Sequence, residues 1–267
     1  MLKRCVALVF GFLSVPSLAW AGAWTLPDGT GEWLTTLTDA TSTSYLEGSA
    51  PLASTPRYDK DELQALIEYG VTDRLTAIVD PGLQHIDIAA PTNAERTGLG
   101  YTEFGARYAF LENQDQSWVL SGQATLRIPG TTETSNPAAV GYTDVESDLR
   151  VLLGHAFTLA DRPAFFDLET AERVRTGGLP SEFRVDGTLG VWVLPRWLLL
   201  AQSFNVVSEG GGNPLYTGGS YDYEKLQLSA VYKLTPTWSL QGGGYTTYAG
   251  RNALAENGLI FGVWRRF

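Results

Sequence analysis

The chain has 267 residues and a net charge of −10, with 29 glycines, 12 tyrosines, 11 phenylalanines and 8 tryptophans against only 19 lysines and arginines. The acidic balance disfavours nucleic acid and other polyanions as partners. One cysteine and two histidines leave little material for disulfides, thiolate catalysis or a zinc site, so no cofactor or metal is expected.

Lys3 and Arg4 precede an apolar run, Cys5 to Leu13, too short to anchor a helix in a bilayer and followed by small residues suited to signal peptidase. Two small-x-small sites overlap, Ala19-Trp20-Ala21 and Ala21-Gly22-Ala23. Cleavage after Ala21 is expected, making residues 1–21 a signal peptide and 22–267 the mature domain. Cys5 lies ahead of the apolar run, which argues against a lipoprotein and removes the thiol with the leader.

Downstream, segments of about ten residues alternate apolar and polar positions, the pattern of strands with one face on lipid and the other on a wet interior. Leu63, Ala65, Ile67 and Tyr69 oppose Glu62, Gln64, Leu66 and Glu68. Trp118, Leu120, Gly122, Ala124, Leu126 and Ile128 oppose Val119, Ser121, Gln123, Thr125 and Arg127. Leu149, Val151 and Leu153 alternate with Asp148, Arg150 and Leu152; Phe183, Val185, Leu189, Val191 and Val193 with Arg184, Asp186, Thr188 and Trp192. Leu226, Leu228, Ala230 and Tyr232 face away from Lys225, Gln227, Ser229 and Val231.

Two kinds of punctuation alternate between these segments. Short turns framed by aromatics fall at Tyr69 to Leu75, Glu112 to Gln116, Thr158 to Pro163, Leu194 to Arg196 and Leu234 to Trp238. Longer loops rich in Gly, Ser, Thr, Asn and Pro are expected near 46–57, 88–97, 130–143, 176–181, 208–220 and 249–256. Five short turns separate six hairpins. The expected fold is therefore all-β: an antiparallel up-and-down transmembrane β-barrel of about 12 strands in the outer membrane, with short turns and both termini in the periplasm. A soluble sandwich also alternates, but its turns need not sort into short and long sets. Tyr69, Tyr108, Trp118, Phe157, Trp197, Tyr232, Trp238 and Phe267 are assigned to an inner aromatic girdle, at the level where a ring meets both lipid and water. The last segment, Leu259, Phe261, Val263 and Phe267, ends on an aromatic and is similar to the signal by which outer-membrane assembly machinery selects clients; Arg265 departs from its apolar parity. Expected partners are outer-membrane lipid, lipopolysaccharide and that machinery.

Several stretches, Gly22-Ala-Trp-Thr-Leu-Pro27, Tyr69-Gly-Val-Thr-Asp-Arg-Leu-Thr76, Gly98-Leu-Gly-Tyr-Thr-Glu103, Leu149-Arg-Val-Leu-Leu-Gly-His155, Pro195 to Asn205 and Gly250-Arg-Asn-Ala-Leu254, resemble the XagA family of bacterial outer-membrane proteins. That family is similar to barrels filed as phenol meta-pathway transporters and is associated with exopolysaccharide synthesis and biofilm formation. The resemblance implies a porin-like barrel for export or accommodation of a polysaccharide, and it carries no catalytic motif.

On this register the lumen carries Glu62, Glu68, Glu103, Asp148, Asp167, Glu169 and Asp186 with Arg107, Arg127, Arg150, Arg173, Arg175 and Arg184. A barrel of this size stands between small filled barrels and wide porins, so these charges either line a narrow pore or pair into a closed plug. Trp192, Tyr101, Tyr245 and Trp264 are the inward aromatics, as sugar platforms or as packing. For a competing hydrolase, His85 with Asp87 is the only pair to name, and no serine motif accompanies it. His155 falls on the lipid-facing parity. The segments Thr131 to Tyr142 and Gly210 to Pro214, with Tyr216 and Tyr221, are expected as outward loops for adhesion or polymer binding, or as plain connections.

Overall fold

A computed structural model describes residues 22–139, 141–210 and 220–267. The candidate leader, Val140, Gly211 to Pro214 and Tyr216 lie outside the described residues. Twelve antiparallel strands, each hydrogen-bonded to its chain neighbours, close into one barrel: β1 (Gly31–Gly48), β2 (Ala50–Thr72), β3 (Leu75–Ile88), β4 (Ala94–Glu112), β5 (Trp118–Ile128), β6 (Glu146–Leu159), β7 (Arg162–Arg175), β8 (Glu182–Leu194), β9 (Trp197–Ser208), β10 (Asp222–Lys233), β11 (Trp238–Leu254) and β12 (Asn257–Arg266). Closure comes from β1 on β12, with Leu34 opposite Trp264, and is completed where Gly31 and Phe267 exchange backbone hydrogen bonds of 2.8 and 3.0 Å. The C-terminal residue thus ends on the first residue of β1, so no open strand edge remains at that seam. No helix of the described residues is long and apolar enough to cross a membrane.

The alternating pattern dictates which face meets what. Along β6, Asp148 and Leu152 are buried inside, whereas Leu149 and Val151 stand 64% and 53% exposed on the outer wall. The same holds around the circumference, where Leu83, Phe104, Leu126, Leu168, Leu228 and Phe261 all face outward. A belt of this extent is stable in hydrocarbon and not in water. Leu149→Arg should therefore cost about 2–4 kcal/mol in a bilayer; urea titration of the protein refolded in vesicles reads it, and an unchanged midpoint would remove this face from lipid.

All five short turns fall where the aromatic punctuation puts them, at 73–74, 113–117, 160–161, 195–196 and 234–237. Ala160 and Asp161 both take positive φ, the pairing that matches the twist of a two-residue hairpin. In the β4–β5 turn, the Ser117 amide (3.2 Å) and hydroxyl (2.9 Å) donate to Asp115 and hold its carboxyl below the ordinary range. The girdle rings sit on the outer wall near these turns. Trp118 stacks on His155 at 3.7 Å, His155 on Phe157 at 5.5 Å, and Trp197 tilts against Tyr232 at 4.8 Å.

Two of the expected outer loops are instead strand. The 46–57 region is the tip of the β1–β2 hairpin, turning at Gly48 with φ +65°, and 249–256 collapses to a two-residue connection. Strands of 18 and 23 residues far exceed the 9–11 a bilayer requires, so they project beyond it. There both faces meet water, and polar composition no longer separates strand from loop. The 130–143 loop is exposed from Thr132 to Ser135, as expected of an outer loop, but its 3-10 turn, Pro137–Ala139, folds in against Ile86 and Ala94 and buries Ala138. Burial of that alanine and the Tyr101 hydroxyl, which donates to the Gly141 and Asp144 carbonyls at 3.1 and 2.9 Å, account for the turn inward.

Candidate functional site: the lumen

Strands β4 to β8 present a ladder of charges to the interior. Nearest the periplasm, Arg107 donates to Glu68 at 2.8 Å and to Gln123 at 3.0 Å. One level outward, Arg150 bridges Asp148 (3.3 Å), Glu169 and Asp186 (3.2 Å), and Arg173 adds a second bond to Asp148 at 3.1 Å. Towards the cell exterior, Arg127 joins Glu103 (2.6 Å) to Glu146, while Arg175 joins Glu146 (2.7 Å) to Glu182 (3.3 Å) and Arg184 meets Glu182 at 3.1 Å. Glu62 pairs with Lys60 at 2.9 Å. Every charged lumen candidate except Asp167 thus has an opposite charge in contact, as desolvation demands of ions on a low-dielectric wall.

Glu146 and Glu182 are central to this network and escaped sequence reading. Both sit at strand starts beside irregular loops, where alternation has too few positions to show. Glu32 with Arg266 (3.0 Å) and Lys225 with Glu256 (2.5 Å) extend the pairing to the other side. That opposite wall is mostly neutral: the Gln227 amide donates to Gln202 at 2.7 Å, Gln241 to Ser229 at 2.9 Å, and Gly243, Gly258 and Gly262 leave it without side chains.

The two ends of the lumen differ. At the outer end a cavity of about 590 Å³ is lined by Tyr58, Tyr101, Tyr142 and Tyr223 together with Arg127, Arg175 and Arg184. Arg127 lies over the Tyr101 ring at 4.3 Å. Tyr245 lines the opposite side, its ring 5.3 Å from Lys225 Nζ. At the periplasmic end the interior turns apolar: Val119, Leu152, Phe165, Trp192, Leu198, Leu200, Val231 and Trp264 all point inward beside the short turns.

Into this apolar ring the chain inserts its own residues 22–28, ahead of β1. Ala23, Trp24, Thr25 and Leu26 are all buried, and Trp24 meets Phe165 edge-on at 6.1 Å. Polar groups of the segment are bonded to the wall throughout. The Ala23 amide donates to Asp167, Ser121 donates to the Ala23 carbonyl (2.7 Å), Arg107 to the Trp24 carbonyl (3.1 Å), the Trp24 indole to the Gln116 carbonyl (3.2 Å), and the Leu26 amide to Thr76 (2.8 Å). Bonding of this completeness makes the segment a fitted plug rather than a trailing end. Sequence reading assigned these residues simply to the barrel domain. The available signal was the cluster of inward apolar residues at one end of an otherwise polar lumen, which has to be covered.

The hydrolase candidates are elsewhere. His85 and Asp87 are on the outer face of β3, with His85 Nδ1 2.8 Å from the Thr97 hydroxyl and 3.9 Å from Glu95. His155 is in the girdle. No group of three or more metal-ligating side chains occurs among the described residues.

A closed antiparallel barrel, apolar outside, charged within and ringed by aromatics, defines the class: an outer-membrane β-barrel protein. Solved structures agree on the fold. The chain is similar to the COG4313 outer membrane channel from Pseudomonas putida F1 at 15% identity, covering 92% of this chain and 98% of that one with a TM-score of 0.72. It is also similar to the β domain of the Bordetella autotransporter BrkA (14% identity, 90% and 100% covered, TM-score 0.57) and to the NanC porin (12%, 86% and 98%, 0.52). No family model matches the chain, and no curated protein matches it.

Proposed function

We propose that this protein is a gated outer-membrane channel whose lumen takes a polar, saccharide-like solute and whose periplasmic end is closed by its own residues 22–28. The observation that carries this reading is the lumen's division. A wide tyrosine and arginine vestibule leads along a charged wall to an apolar ring, which among the described residues is closed by a non-strand segment. Stacking rings beside planar guanidinium donors suit the alternating apolar and hydroxyl faces of a sugar. The channel and porin folds it resembles support transport, and the likeness to the XagA family supports an exopolysaccharide chain, handled during biofilm formation, as the solute. No observation favours the hydrolase, whose candidate histidine faces away from the lumen.

Planar-bilayer recording of the refolded protein tests the proposal. Stepwise openings are expected, and a saccharide that occupies the vestibule should block them from the outer side; Tyr101→Ala, which removes one platform and the partner of Arg127, should weaken that block roughly tenfold or more, the loss of one to three kcal/mol that a stacking ring contributes. Electrical silence with the plug deleted would sink the channel, and block unaffected by Tyr101→Ala would sink the saccharide site. Deleting the protein in its host and finding unchanged secreted polymer would remove the exopolysaccharide role.

A further inference from the structure

Asp167 is 3% exposed, and its Oδ1 has no hydrogen-bond partner. Its Oδ2 accepts the Ala23 amide, and Gly22 lies so close that a Cβ there would overlap the carboxylate. Gly22 also adopts φ +79°, where a side chain is strained. The arginines on this wall are taken: Arg107 is bonded to Glu68 and Gln123, and Arg150 to Asp148, Glu169 and Asp186. A carboxyl buried here either keeps its proton or gains a cation, and an amine freed beside it would supply the cation.

We propose that processing after Ala21 makes Gly22 the first residue of the mature chain, and that its α-ammonium is the counter-ion of Asp167. Hydrolysis by a periplasmic-side signal peptidase adds water across the Ala21–Gly22 bond. The carboxylate leaves on Ala21, and the amine freed on Gly22 takes up a proton. The charge that locks the plug is therefore created by the cut itself. The structure also separates the two candidate cleavage sites. A cut after Ala23 would remove both the amide bonded to Asp167 and the carbonyl that accepts from Ser121, leaving two buried polar groups unpaired. The inference rests on the plug and not on what the channel carries.

The test uses the full protein purified from outer membranes. Intact mass and N-terminal sequencing should give Gly22 as residue one. An N-hydroxysuccinimide ester should acylate the α-amine of the folded wild type far more slowly than that of the urea-unfolded chain. In Asp167→Asn, which keeps the acceptor for Ala23 and loses only the charge, acylation should be roughly tenfold faster, the ratio equivalent to one pKa unit of interaction; Asp167→Glu should restore protection. A mature chain that starts at Trp24 overturns the proposal, as do equal rates in folded and unfolded wild type or in wild type and Asp167→Asn. Conductance enters none of these readouts, so a failed channel and a failed lock are told apart.

Discussion

A mature chain lacking residues 23–28 should conduct almost continuously in a planar bilayer, where the intact protein is closed for most of the record. The segment forms no strand and contributes nothing to barrel closure, so its removal leaves the twelve-strand ladder intact. What it supplies is the lid on the apolar ring, with Trp24 against Phe165 at its centre. Removing that ring alone, by Trp24→Ala, forfeits about 3–5 kcal/mol of burial and packing. Such a loss moves a closed-to-open equilibrium by roughly two to three and a half orders of magnitude, at about 1.4 kcal/mol per factor of ten. Gly154→Val should act in the same direction from the wall side. A Cβ at residue 154 would stand 2.7 Å from the Trp24 ring and 2.9 Å from Val119, so a branched side chain there competes with the indole for its seat. Indistinguishable open probabilities for the intact protein and the deletion would remove the plug from any gating role.

Neutralising Arg150 should lower stability more than any other single change in the charged ladder, by about 3–5 kcal/mol. Its guanidinium is shared among three carboxylates. Asp148 keeps Arg173, but the ion pairs found for Glu169 and Asp186 among the described residues are both with Arg150. Arg150→Met therefore strands two carboxylates on a wall where they are poorly hydrated. Arg150→Lys should recover only part of the loss, because a single ammonium cannot reproduce a planar fork with separate edges for separate acceptors. Urea midpoints of the refolded protein, read by tryptophan fluorescence or by heat-modifiable migration, order the three as wild type, then Lys, then Met. A Met variant as stable as wild type would show that water, not Arg150, satisfies these carboxylates, and the ladder would then be a solvated pore lining.

Local chemistry alone settled a good part of the structure. Period-two alternation placed Arg127, Asp148, Arg150 and Arg184 on the inner wall and Leu149, Leu226 and Leu228 on the outer one, because a barrel wall separates two solvents and each strand must sort its side chains between them. The short turns were legible for the same reason: Trp118, Trp197 and Trp238 mark the height at which one solvent gives way to the other. Once the strands leave lipid that contrast vanishes. The outer ends of β1, β2 and β11 therefore read as loops, though their backbone pairing continues. Pairing across distance was equally invisible. Glu146 meets Arg127 and Arg175 across adjacent strands, 19 and 29 positions away; that the Ala23 amide reaches Asp167 and that Trp24 fills a ring built from seven strands depend on closure of the cylinder, which brings together residues more than 100 positions apart. Sequence determined the wall, since each residue there answers only to lipid or water on its own side; the contents of the lumen were decided by tertiary structure, since only closure sets which side chains must share one confined space.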